Sequence, residues 1–126
     1  MHIAQLITYG VEDRWAQAIQ ELAKDRGLWL RPVSHLQACL NVLRKSGPAI
    51  LVLKVGRDLE KELTILERVS WLFPETATIV VGESDYPMLA GLALDLGARF
   101  VLFPPLPLEL LPQLIEGFLP PKKEKG

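Results

Sequence analysis

Lys54 is the residue of this sequence whose setting most invites chemistry. It interrupts an otherwise apolar run, Ala49-Ile50-Leu51-Val52-Leu53-Lys54-Val55. An ammonium at the end of a buried strand seeks an opposite charge or water. Glu12, Asp13, Asp58 and Glu83 are the acids expected near it, and an ion pair with one of them would lock the strand end. The plainer arrangement is a lysine that snorkels at the sheet rim. Asp58 and Asp85 are loop carboxylates that would have to act as nucleophiles if the chain transferred a group. Such a nucleophile needs a neighbouring metal and oxyanion partners, which these loops do not supply, so both read as loop or helix-capping residues.

The remaining chemical candidates are weaker. His2 and His35 lack the Cys/His spacing of a metal site and read as surface residues. Ser84 has neither a nucleophile-elbow sequence nor an obvious histidine base. Gly10, Gly56 and Gly82 make no dinucleotide or phosphate-binding loop. Cys39, the single cysteine, lies on a leucine face and is expected in the core. Trp15, Trp29 and Trp71 are expected to pack in the core or between helices. Glu83, Asp85 and Ser84 as a residual enzyme would have no base, metal set or cofactor motif behind them. The chain therefore reads as a non-enzyme without metal or cofactor.

The elements that position these residues alternate along the chain. Apolar runs over 3–8, 28–33, 49–55, 78–81 and 99–103 read as strands, the third and fourth as buried central ones. Helical spacing of apolar residues marks 12–24, 36–44, 59–73, 88–96 and 108–118 as helices. Gly27 is placed to end the first and Ser34 to cap the second; Pro87 and Pro112 suit first turns. Five strands alternating with five helices predict a three-layer, doubly wound α/β domain with a parallel sheet of order 2-1-3-4-5. Sites in such sheets lie beyond the carboxyl ends of the strands, near the switch point between strands 1 and 3. The domain is expected over 1–119, with a flexible tail over 120–126.

With those loops placed, the chain resembles the receiver domain of response regulators, a CheY-like, flavodoxin-like (βα)5 unit, across residues 3–119. Pro48-Ala49-Ile50-Leu51-Val52-Leu53-Lys54-Val55 is similar to that family's third strand, P-D-[LIV]-[LIV]-[LIV]-[LIV]-D-[LIVM], and Lys54 falls where the final Asp accepts phosphate. Gly97-Ala98-Arg99-Phe100-Val101-Leu102-Phe103-Pro104-Pro105-Leu106 is similar to G-A-x-x-[FY]-[LIV]-x-K-P-[FL], with Pro104 at the lysine. Gly82 stands at the Ser/Thr that contacts the phosphoryl group, and Thr8 and Tyr9 at the approximate places of two magnesium-binding acids. An acyl phosphate requires a carboxylate that Lys54 cannot replace, and its cation would repel magnesium. The resemblance therefore implies a degenerate pseudo-receiver that does not take phosphate on the usual Asp. It also implies a cis bond before Pro105. The family's fourth-helix, fifth-strand and fifth-helix face, here with Phe103, Pro105, Leu106 and Leu110, is the expected site of docking or homodimerisation.

Composition agrees with a protein-binding role. A formal net charge of −1 gives no basic face for nucleic acid or anionic membrane, and three lysines in the 120–126 tail are too few to supply one. No apolar run approaches the roughly 20 residues of a membrane-spanning helix. The N-terminus lacks a secretory pattern, so a cytoplasmic protein is expected. No output domain is expected after the receiver-like unit, which leaves bacterial signalling or regulation through a protein partner as the leading expectation. A flavodoxin-like binder of a small anion, using Lys54 or loop amides in the strand-end pocket, is the competing one.

Overall fold

The computed structural model describes residues 5–11, 13–47, 49–84 and 87–120. Strands and helices alternate as β1 (Gln5–Tyr9), α1 (Asp13–Arg26), β2 (Trp29–Val33), α2 (Leu36–Ser46), β3 (Ala49–Val55), α3 (Leu59–Leu72), β4 (Ala77–Gly82), α4 (Pro87–Asp95) and β5 (Phe100–Leu102). A 3₁₀ turn, Leu108–Leu110, then leads into α5 (Leu111–Gly117). The sheet is parallel throughout, in the predicted order β2-β1-β3-β4-β5.

The burial of β3 explains the three layers. Successive strand side chains point to opposite faces, and Ala49–Leu53 are buried on both. Ile50 and Val52 join Leu6, Ile79, Ile19, Leu111 and Ile115 under α1 and α5. Leu51 and Leu53 join Ile7, Val80, Leu43, Leu66 and Ala93 under α2, α3 and α4. Cys39 lies in this second cluster, fully buried. Tyr9 is level with Leu53, and Val55 with Gly82, so β1, β3 and β4 finish together at one edge of the sheet.

Four local features differ from the sequence expectation. His35, not Ser34, caps α2: its Nδ1 accepts the Ala38 N–H at 3.2 Å. The helix starts at Leu36, so His35 is the flanking extended residue, and its ring nitrogen takes the role of a capping oxygen. Trp29 is 64% exposed because it lies on the edge strand, where the Arg31 guanidinium stacks 5.0 Å from its ring centroid. Trp71 is also outside the core, two residues and about 200° round the helix from buried Val69. The final helix is shorter than expected, its first turn being 3₁₀ and Pro112 standing in the first turn of α5.

Arg26 is the last residue of α1. Its guanidinium donates to a Glu116 carboxylate oxygen and to the Pro120 carbonyl, tying α1 to the end of α5. Arg26→Ala removes both bonds and should lower stability by about 1–3 kcal/mol in urea titration. A second expectation concerns Cys39, whose thiol burial pushes up from 9.0 to about 11. The native state holds the proton that the unfolded chain releases first, so this contribution is whole below pH 9 and lost as pH rises through 11. Stability should fall across that window, by roughly 2–3 kcal/mol from this group, and Cys39→Ala should flatten the decline.

Candidate functional site

A cleft of about 690 Å³ opens at the carboxyl ends of β1 and β3, between the loops that follow them and the start of α3. Its position follows from the sheet order, since the crossovers from β1 and β3 leave toward opposite faces. Tyr9, Lys54, Asp58, Glu62, Glu83 and Ser84 all line it. Gly10 turns the chain at its rim with φ of 71°, where a Cβ would stand 3.5 Å from the Lys54 carbonyl oxygen.

Lys54 is mostly buried, yet its charge is matched. Its stem passes a small apolar cavity with Val11, Trp15, Val81 and Leu111 around it. Its Nζ lies 3.4 Å from Glu83 Oε1 in the loop after β4. The side chain therefore combines the two arrangements open from sequence, a stem laid along apolar surface and a paired head. Of the other acids considered for this role, Glu12 and the side chain of Asp13 lie outside the described residues, as do Asp85 and His2. Asp58 lines the cleft, and its Oδ1 accepts the Lys61 N–H at 3.3 Å as the cap of α3.

Glu62 is a site residue that the sequence reading missed. It is only 4% exposed, and its Oε1 accepts the Gly56 N–H at 2.8 Å, fastening the loop between β3 and α3. The available signal was an acid one turn beyond the capping Asp58, close to the reciprocal capping pattern. Tyr9 shares this environment: burial first, then the negative charges of Glu62 and Asp58, raise its phenol above the usual value. Thr8 is buried in β1.

Gly82 and Phe103 form a second unit at the strand ends. A Cβ on Gly82 would fall 2.6 Å from the Phe103 ring, so the ring occupies the space of a side chain at position 82. Phe103, expected on an exposed interface, is consequently buried. After it Pro104, half-buried, is joined to exposed Pro105 by a cis bond. Leu106 is exposed, whereas Leu110 is half-buried against the α1 and α5 core. Outward on α4 stand Met88, 88% exposed, with Leu92 and Leu94, and Phe100 of β5 is also exposed.

No protein-family model matches the chain, and no curated protein matches its sequence. Its structure is similar to a response regulator from Thermotoga maritima, with a TM-score of 0.75 and 16% identity over 91% of this chain and 96% of that one. It is similar to a CheY-like response regulator receiver domain from Methanospirillum hungatei JF-1, with a TM-score of 0.73 and 12% identity over 91% and 92%. The Vibrio cholerae chemotaxis protein CheY4 matches with a TM-score of 0.72 and 14% identity over 93% and 99%. At these identities the likeness establishes the fold, which is that of CheY-like receivers.

The contact at Gly82 yields a direct test. Gly82→Ala should force Phe103 from its seat and cost about 1–3 kcal/mol in urea titration. The same substitution should cost measurably less in a Phe103→Leu background. Equal costs in both would show that the ring does not fill this space.

Proposed function

We propose that this chain is a receiver-like signalling protein that works by protein contact instead of phosphoryl transfer. The observation that carries this reading is the Lys54–Glu83 pair at the carboxyl end of β3. Aspartyl phosphorylation needs a nucleophilic carboxylate, a divalent cation on hard oxygen ligands, and donors for the developing charge. Lys54 brings an ammonium where the receiver resemblance implies the nucleophile, and its charge neutralises Glu83 without a metal. Thr8 and Tyr9 bring no carboxylate, and Gly82 brings no hydroxyl. A magnesium ion of the kind the resemblance implies does not fit this donor set. No metal-holding group of three or more His, Cys, Asp or Glu residues occurs among the described residues.

The apolar exterior of α4 supports the contact half of the reading. A short helix that is apolar around much of its circumference is normally buried, but α4 exposes Met88, Leu92 and Leu94. Phe100 of β5, the strand that α4 contacts, is exposed as well, and together they form the surface on which a protein partner docks. The volume of the strand-end cleft favours a small-anion binder as the competing function. Three of its donors are engaged within the chain, Lys54 by Glu83, the Lys61 amide by Asp58 and the Gly56 amide by Glu62, while the Arg57 and Lys61 side chains also line it.

Incubation with a small acyl-phosphate donor and magnesium should leave the intact mass unchanged. A phosphoryl adduct released by hydroxylamine, on Asp58, Asp85 or any other carboxylate, would overturn the proposal. Tight binding of inorganic phosphate in the cleft, abolished by Lys54→Ala, would favour the competing function.

A further inference from the structure

The carboxyl-terminal turns of α3 and α4 form a surface separate from both the strand-end cleft and the Phe100 and Leu106 face. Trp71 is 83% exposed there, with exposed Leu72 beside it. Between the helices runs an open groove of about 620 Å³, bordered by Glu67, Ser70 and Trp71 of α3, by Asp95 at the end of α4 and by Leu96 after it. Trp71, Leu72 and Leu96 are the apolar part of its border. The apolar centre is thus ringed by Arg68, Glu67 and Asp95. Among the described residues none of these three makes an ion pair or side-chain hydrogen bond within the chain. Asp95 is moreover the last residue of α4, where the helix dipole disfavours an acid.

We propose that this patch binds the same patch of a second copy of the chain. Trp71 of each copy enters the groove of the other, and Arg68 of each meets Asp95 of the other. A two-fold interface must carry a projection and its receptacle on one surface, and Trp71 and the groove meet that requirement. The patch also carries both signs of charge, so a copy of it can be placed with opposite charges together. An exposed tryptophan surrounded by polar residues has the composition of an interface centre and its rim. The docking face on α4 and β5 stays open in this dimer, so the inference stands whether or not the functional reading does.

Analytical ultracentrifugation of the full chain over a concentration series tests it. A monomer–dimer equilibrium is expected, which Trp71→Glu weakens about 30-fold or more; at concentrations where the wild type is monomeric the variant keeps the wild-type thermal midpoint, since the side chain is exposed there. Arg68→Asp and Asp95→Arg should each weaken the dimer, and the two together should restore it. Leu106→Glu should leave it intact. A wild-type chain that stays monomeric throughout, a dimer dissolved by Leu106→Glu but not by Trp71→Glu, or a charge swap that fails to restore association would overturn the proposal.

Discussion

The structure depends on the burial of β3 on both faces. Five successive residues, Ala49–Leu53, lie out of contact with water, so the strand must be central and helices must cover each side of it. That requirement sorts α1 and α5 to one face and α2, α3 and α4 to the other. It also leaves Lys54 as the first position where the strand can carry charge. The polar groups of the loops converge on that end, and the ammonium is matched by a carboxylate that arrives from β4.

Legibility in the sequence followed how strongly the physics of each segment was local. The all-apolar run of β3, the helix period of α3 and the turn residues between elements carried enough information to predict the sheet order. Ends were less legible. Ser34 is the better capping residue by type, but the helix begins one residue later, so an imidazole does the work. Two of the tryptophans misled for a related reason: aromatic size argues for burial, whereas exposure depends on edge position for Trp29 and on helix phase for Trp71. Lys54 could be singled out by its contrast with its neighbours, and Glu83 was one of four acids available to it. Glu62 left only the weak signal of an acid one turn beyond Asp58, because an acid in the first turn of a helix normally stays in solvent. Its burial depends on the path of the loop at Gly56, a tertiary matter.

The same reasoning separates the two ends of the molecule. At the carboxyl ends of the strands, Asp58 is held on its helix, Glu62 on its loop and Lys54 on Glu83. Phe103 fills the place left by Gly82, and that end is packed from within. Around α4 and the end of α3 the opposite holds. Large apolar side chains face solvent, and among the described residues Glu67, Arg68 and Asp95 beside them make no ion pair or side-chain hydrogen bond within the chain. That contrast is the reason the proposed function is contact, not catalysis.

The central claim is that Lys54 and Glu83 act as a pair that takes the place of a metal-centred site. A double-mutant cycle with Lys54→Met, Glu83→Gln and the combined variant, measured by urea denaturation at low and high salt, addresses it most directly. Because Glu83 is partly exposed, the account predicts a modest favourable coupling, about 0.2–1 kcal/mol, that shrinks as salt is added. Strict additivity of the two substitutions at both salt concentrations would contradict it.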